Sequence, residues 1–412
     1  MSKIVRLADI AILKTGPFGT QFKASEYVSE GIPVINVKNI GYGNIYYEGL
    51  EHIAESTCQR LSEHILRAGD IVFGRKGSVD RHCFITERED GWFQGSDCLR
   101  VRITDNTVYP KYVSYYLLCG HVIRGINHAA VGSTMPSLNM DIISDIKIVL
   151  PSYEEQRKIA DLLSSIDLKI SSNNKINDNL QRQLKLMYDY WFTQFDFPDE
   201  NGKPYRASGG VMLWNEQLKR NIPAGWTVDN LYAVADYING LACQNYRPDD
   251  DNHKLPVIKI TEMHNGITDS TESVRDDIPE KYIIEDGDIL FSWSATLETM
   301  LWYGGRGGLN QHIFKVVPKC PKYFAYSQLS SYIINFKAIA EARKTTMGHI
   351  TTDHMEQSRI AIPPTIVQET FNRQVTPLYE QFANNCKENL RLQALRDWLL
   401  PMLMNGQATI AD

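Results

Sequence analysis

The sequence predicts a mixed α/β chain built twice over. Each half is a domain of short strands and helices, followed by one long coiled-coil helix. Three observations predict this. The two halves align with one another in order. β-type runs punctuated by Gly, Pro and Asn recur at matched places. Two long stretches carry apolar residues at heptad spacing.

The alignment of the halves comes first. Leu7-Ala8-Asp9 through Lys23 resembles Leu231-Tyr232-Ala233 through Arg247, with Gly16 meeting Gly240, Phe22 meeting Tyr246 and Lys23 meeting Arg247. Ile32-Pro33-Val34-Ile35 meets Leu255-Pro256-Val257-Ile258. Gly69 to Gly74 meets Gly287 to Ser292, and Ile146 to Pro151 meets Ser358 to Pro363. The offset drifts from about 224 to about 212, as loop insertions and deletions produce. Within each half, β-type runs fall at 32–37, 70–73 and 99–103, and again at 255–260, 288–291 and 313–317.

The first long helix is announced by Ser152 with Glu155, an S-x-x-E capping box directly after Pro151. It runs without Pro or Gly to about Phe192. Ile159, Ile166, Asn173, Leu180 and Met187 fall seven apart, with Leu162, Ile176 and Tyr190 three later. Leu163, Ile170, Leu184 and Trp191 widen the stripe on one side, as a straight 3.6-residue period does. The second helix repeats the plan: Thr365 with Gln368 is read as another box after Pro363-Pro364. Phe371, Leu378, Asn385, Leu392 and Leu399 fall seven apart, with Val375, Phe382 and Leu395 alongside. Two such long stripes are expected to pack on each other. Asn173 and Asn385 then sit at matched polar positions that set register. Pro377 and Pro401 are expected to kink or end the second helix.

The division that follows is 1–150 for the first domain, 151–192 for the central helix and 193–225 for a linker rich in Gly, Pro, Asn and charge. The second domain is 226–362 and the C-terminal helix 363–412.

Composition narrows the class. Of 412 residues, 43% are hydrophobic and 22% charged, which is ordinary for a water-soluble globular chain. No run approaches the ~18 apolar residues of a membrane helix, and Met1-Ser2-Lys3 to Ile10 carries charge where a signal peptide needs an apolar stretch. No membrane partner and a cytoplasmic location are expected. Seven scattered cysteines without a Cys-x-x-Cys pair suit idle thiols in a reducing compartment. The net charge is −6, and the acidic excess lies in 193–362, with 17 basic and 22 acidic residues. A wholly basic footprint is absent, which leaves room for a local basic cleft or for phosphate contacts made by other subunits.

The parts of an enzyme are missing from the sequence. Gly74-Arg75-Lys76-Gly77-Ser78 only superficially suggests a phosphate loop, and no G-x-G-x-x-G follows a strand. There is no nucleophile elbow, no His-x-x-x-His metal spacing and no nuclease carboxylate–lysine set. No metal and no cofactor is expected on this chain.

What remains is recognition chemistry, in three loops that recur in both halves. The first loop carries Thr15, Gln21 and Lys23 against Asn239, Gln244 and Arg247. The second carries Arg75, Lys76, Ser78 and Arg81 against Ser292, Trp293, Ser294 and Thr296. The third carries Ser133 and Thr134 against Arg343, Lys344, Thr345, Thr346 and His349. Arg reads guanine edges, Asn and Gln read adenine, and Ser, Thr and backbone amides hold phosphate, so these are the candidate DNA-binding residues.

With these features in place, the chain resembles the specificity subunit of type I restriction–modification enzymes over essentially its whole length. The resemblance rests on Ile222-Pro223-Ala224-Gly225-Trp226 and on Gly287 to Ser292. It rests equally on Leu309-Asn310-Gln311-His312-Ile313-Phe314, the Pro151 to Gln156 helix start and Leu395 to Pro401. It implies two target-recognition domains separated by two long antiparallel helices, each domain reading one half of a split, asymmetric site in double-stranded DNA. It implies that the helices act as a ruler and dock two modification subunits, which bind S-adenosylmethionine and methylate adenine. Two restriction/translocase subunits, using ATP and Mg, complete the complex. This chain would itself perform no chemistry. Two other classes stay open on the residues alone: a fused specificity–methyltransferase, and a two-domain coiled-coil interaction protein that does not bind DNA.

Overall fold

A computed structural model describes residues 3–130, 137–250, 252–294, 296–342 and 350–410. The chain divides into two compact units, Met1–Lys169 with Leu392–Asp412, and Ile170–Arg391. The cut falls through both long helices, so each helix contributes a part to each unit.

In the first unit, a five-stranded sheet has the order Ala11–Thr15, Cys98–Ile103, Ile71–Gly74, His82–Phe84, Tyr42–Gly43. A four-stranded sheet beside it runs Tyr27–Val28, Glu51–Ile53, Ile32–Ile35, Phe93–Gln94, with Val34 and Phe93 paired in parallel. Lys3–Arg6 pairs antiparallel with Lys147–Leu150 and so joins the two ends of the repeat. The core gathers Leu7, Phe73, Leu99, Tyr112 and Ile148 from the domain, and Ile159, Leu163, Leu400 and Leu403 from the long helices.

The second unit repeats the plan. Its sheets have the orders Ala235–Asn239, Ile313–Pro318, Ile289–Ser292, Glu298–Leu301, and Ser273–Arg275, Lys254–Ile258, Gly307–Leu309, Ile283–Ile284. Val257 and Gly308 repeat the parallel pairing, and Thr227–Asp229 closes on Ile360–Ile362. Its core is more aromatic. Phe192, Trp226, Phe291, Phe324, Phe336 and Phe371 meet there, with Phe192 and Phe371 edge-to-face at 4.8 Å.

The central helix spans Tyr153–Tyr188 and ends in a single π-turn, Asp189–Thr193. Its capping box forms as read: Ser152 Oγ donates to Glu155 Oε2 at 2.8 Å and accepts from Glu155 N at 3.3 Å. The C-terminal helix, Thr365–Met404, starts differently. Thr365 is its first residue rather than its cap, so no Thr365–Gln368 box forms. The device common to both helix starts is instead a buried glutamine. Gln156 Nε2 donates to Pro151 O at 3.0 Å, and Gln368 Nε2 donates to Pro363 O at 2.8 Å. A proline carbonyl at a helix entrance needs a donor, and the glutamine side chain folds back to supply it. Gln156 also donates to Thr107 O at 3.2 Å and accepts from Tyr109 N at 2.9 Å, tying the helix start to its domain.

The buried seam of the central helix is Ile159, Leu163, Ile166, Ile170, Asn173, Asn177, Leu180 and Leu184, in steps of four and three. This corrects the expected flank. Ile176 and Tyr190 are 37% and 40% exposed, and Leu162 is half-buried, whereas Leu163, Ile170, Leu184 and Trp191 face inward. Met187 is half-buried and Tyr188 takes the seam position beside it. In the second helix Phe371 and Val375 are fully buried; Leu378, Asn385, Leu392 and Leu399 are half-buried. Pro377 does not end the helix, which continues to Met404. Buried Val375 and Tyr379 on either side hold that turn in place.

Within the second unit the two helices meet through amides. Asn173 Nδ2 donates to Asn389 Oδ1 at 2.9 Å and to Glu388 Oε2 at 2.7 Å; Asn385 Nδ2 donates to Asn177 Oδ1 at 2.9 Å. Rising numbers on one helix meet falling numbers on the other, so this stretch is antiparallel. Asn173 and Asn385 therefore do not pair with each other. Each bonds the asparagine four residues beyond its counterpart, and the repeat exchanges the two contacts, which is a local two-fold axis. Elsewhere the repeat keeps contacts and changes their chemistry. In the first unit Tyr115 Oη donates to Asp167 Oδ2 at 2.6 Å, and Arg396 reaches the same carboxylate at 3.0 Å. In the second, Ser327 Oγ and Tyr379 Oη lie 3.3 Å apart, with Tyr323 stacked on Tyr379 at 4.1 Å.

The segment 193–225 is not a bare connection. It holds an antiparallel hairpin, Met212–Asn215 with Arg220–Pro223. Phe195 and Phe197 are buried against Trp226 at 5.3 Å.

Gln156→Ala removes three part-buried hydrogen bonds and leaves their backbone partners unmet. It is expected to lower stability by about 2–4 kcal/mol, measured by urea unfolding of the full chain. A loss near that of a surface substitution would show that this side chain does not lock the helix start.

Candidate nucleic-acid interface

In both units, two strands that flank a shared central strand deliver two of the three sequence-derived loops to one corner. In the first, Thr15 and Gly74 end strands that flank Cys98–Ile103. Gly16 N then donates to Cys98 O at 2.8 Å, and Arg75 N donates to Asp97 O at 2.7 Å. The chain leaving the third loop joins them, with Leu138 N donating to Arg75 O at 2.9 Å. In the second unit, Gly240 N donates to Ile313 O at 3.1 Å, Trp293 N to His312 O at 3.4 Å and Ile350 N to Trp293 O at 3.1 Å. The framework is the same six groups twice.

The glycines are required by this framework. A Cβ on Gly16 would lie 2.0 Å from Gly95 O, and one on Gly240 would lie 2.1 Å from Asn310 O. No side chain fits such an approach of backbone to backbone.

Around this corner the candidate side chains divide. In the first unit Gln21, Lys23 and Lys76 are exposed, and Thr15, Arg75, Ser78 and Arg81 are half-buried. Lys76 pairs with Asp97 at 3.1 Å. Arg81 lies over the Tyr42 ring at 5.3 Å, and Tyr42 Oη donates to Asp80 Oδ2 at 2.9 Å. Gln21 O accepts from Arg60 at 2.9 Å, which ties down the first loop. In the second unit Asn239, Gln244, Arg247 and Thr296 are exposed, and Trp293 Nε1 donates to Asn239 Oδ1 at 3.2 Å. Ser292 and Ser294 are corrections to the sequence reading. Ser292 is fully buried, and its hydroxyl donates to Thr296 O at 2.6 Å, bracing the loop from inside. Ser294 is buried beside it. Ser133, Thr134, Arg343, Lys344, Thr345, Thr346 and His349 lie outside the described residues.

The sequence reading passed over the turn that forms the floor of the corner: Gly95 to Asp97 in the first unit, and Asn310, Gln311 and His312 in the second. Trp293 packs on His312 with ring centres 5.8 Å apart. The signal available was the Leu309 to Phe314 motif, which was read for family resemblance rather than for position. Tyr42 and Asp80 carried no signal, because only the fold brings them to Arg81.

The titratable groups beneath the corner are structural. His82 is fully buried against Ser114 Oγ at 3.0 Å, and burial pushes its pKa down to about 3, so it is neutral. All seven cysteines are free thiols; burial pushes Cys119 up to about 12 and Cys386 up to about 11. Among the described residues no group of three His, Cys, Asp or Glu is placed to hold a metal, and no helix is long and apolar enough to cross a membrane.

The model of the type I restriction modification DNA specificity domain matches this chain twice, over residues 2–182 and 223–393. The chain belongs to that family. Each match covers one repeat with its strand-closed domain and most of its long helix. The chain is similar to the MjaIX specificity subunit of Methanocaldococcus jannaschii, 24% identical over 95% of this chain and 90% of that one. It is also similar to the HindI specificity subunit of Haemophilus influenzae, 22% identical over 90% and 94% respectively. Its fold is like that of the S subunit of a type I restriction–modification system from M. genitalium, with a TM-score of 0.58 and 14% identity over 98% and 96% of the two chains. As a member of this family the chain is a DNA-recognition subunit of a type I complex and is not itself an enzyme.

Gly16→Ala and Gly240→Ala are each expected to destabilise the chain by about 1–3 kcal/mol, the cost of forcing atoms into a packed contact. Gly125 lies in a helix with open space around its Cβ position. Gly125→Ala is therefore expected to be neutral or stabilising by up to about 1 kcal/mol. Thermal unfolding of the three variants checks both statements; equal effects at all three positions would deny the corner its tight packing.

Proposed function

We propose that the chain reads a bipartite, asymmetric site in double-stranded DNA, one half through each corner. One observation carries this: the two corners share their backbone framework and differ in nearly every outward side chain. A shared frame holding Lys23, Arg75, Lys76 and Arg81 in one repeat and Asn239, Gln244, Arg247 and Trp293 in the other suits two readers of two sequences. The domains performing the reading are 1–150 and 226–362, their ends joined by the paired strands. The helices 151–192 and 363–412 serve as spacer and as docking surface for two modification subunits and two restriction/translocase subunits. S-adenosylmethionine belongs to the modification subunits, and ATP with Mg to the restriction subunits; the complex works in the cytoplasm. The near balance of charge on this chain fits a division of labour in which partner subunits share the phosphate contacts.

Replacing residues 10–145 with the matching region of a relative that has a different specificity is expected to change one half of the methylated site and leave the other as it was. Methylome sequencing of a host carrying the chimera with its modification subunit reads this directly. A chimera that alters both halves, or neither, counts against independent reading by the two repeats.

A further inference from the structure

Each corner holds one residue from both sides. Arg75 donates its backbone N–H to Asp97 O and accepts from Leu138 N; Trp293 donates to His312 O and accepts from Ile350 N. These are the same position in the two repeats, directly after the strands Ile71–Gly74 and Ile289–Ser292. It is the position where the second loop, the floor turn and the exit of the third loop meet. A residue fixed in this way keeps its Cα in place whatever side chain it bears, which is what a reading position needs.

The side chains there differ in kind. Arg75 offers a planar fork of donors, and the nearby Asp97 is already engaged by Lys76 at 3.1 Å. Arg75 Nε is buried without a hydrogen-bond partner among the described residues, so this donor is not committed to a protein acceptor there. Trp293 has one donor, and Asn239 Oδ1 accepts it at 3.2 Å. His312 and Phe314 flank the indole at 5.8 and 5.9 Å. With its N–H given to Asn239, the half-buried indole has no donor left, and a base edge can meet it only through ring carbon.

We propose that position 75/293 is the base-selecting position of both repeats, Arg75 taking a guanine through O6 and N7 and Trp293 taking a thymine through its methyl group. This rests on the reading that the corners face DNA. In the major groove a bidentate arginine singles out guanine, and only thymine presents a methyl group to an apolar side chain. The two half-sites then differ in chemistry at their matched place, and the asymmetry of the site follows from one pair of residues.

The test uses the full chain assembled with its modification subunit, on duplexes carrying the site found by methylome sequencing. Each guanine of the first half-site is replaced in turn by 7-deazaguanine, which lacks the N7 acceptor. Each thymine of the second half-site is replaced by uracil, which lacks the methyl group. One 7-deazaguanine is expected to weaken binding roughly tenfold with Arg75 present and to have no further effect in Arg75→Ala. One uracil is expected to weaken binding several-fold with Trp293 present and to have no further effect in Trp293→Ala. Arg75→Lys and Trp293→Arg provide a second pair. The first keeps the charge and should still lose the guanine preference; the second should exchange thymine for guanine in the methylated second half-site. Base-analogue penalties that persist undiminished in the variants overturn the proposal, as does a first half-site without guanine or a second without thymine. A uniform loss in Arg75→Ala with a smaller salt slope would make Arg75 a phosphate contact and equally overturn it, while the proposed function stands. A complex with no preference for either half-site would instead overturn the proposed function itself.

Discussion

Everything else in this chain hangs on the amide contacts midway along the two long helices. An unpaired amide in an apolar seam costs about 1–3 kcal/mol, so Asn173, Asn177, Asn385 and Asn389 are tolerable only where they find one another. Sliding either helix by a heptad would set Asn177, Asn385 and Asn389 against leucine or isoleucine. Apolar seams alone accept several registers with similar energy; polar positions accept one. The contact Asn173–Asn389 is exchanged with Asn385–Asn177 by the internal repeat, so a single pairing rule written twice in the sequence closes on itself. Asn173 Oδ1 has no partner among the described protein groups, which marks this as a specificity device rather than a maximally stabilised core.

From that seam outward, each repeat separates what must be constant from what varies. The constant part is backbone: glycines that let strands approach, end strands that join 3–6 to 147–150 and 227–229 to 360–362, and glutamines that satisfy proline carbonyls at the helix starts. The variable part is side chain, carried by loops at the ends of those strands. Loops anchored this way can change their outward side chains without disturbing the core, because the anchoring hydrogen bonds run through main-chain atoms. Ser292 illustrates the boundary: although it lies in a loop-forming motif, it is wholly buried and braces Thr296 O, while its neighbour Trp293 lies at the corner itself.

Features that are local in sequence were legible there. The duplicated order, the strand runs and the Ser152 capping box depend on neighbours within a few residues, and the structure holds them. Features decided by tertiary contact were not. Heptad counting put Leu162, Ile176 and Tyr190 in the stripe, and packing leaves them outside the seam; Leu163, Ile170 and Leu184, which the 3.6-residue period already added, line it. Thr365 looked like a cap, yet Gln368 reaches Pro363 O and the helix begins at Thr365 itself. Pro377 looked like a stop, yet Val375 and Tyr379 hold its turn. The floor of each corner stayed hidden because its link to the second loop runs through main-chain atoms, Asp97 O and His312 O, which side-chain chemistry does not advertise.

If register at the asparagines sets the distance between the two readers, that distance is adjustable in a defined way. Inserting four residues near Asn173 alone lengthens one helix by ~6 Å, mismatches the amides and should prevent assembly. Inserting four residues at both Asn173 and Asn385 is a matched stutter that restores packing. Methylome sequencing of a host carrying the double insertion is the direct measurement. The expected result is methylation of the same two half-sites with a spacer longer by one or two base pairs, given ~3.4 Å per pair. Methylation with the original spacer would contradict the account, because the helices would then not be setting the distance.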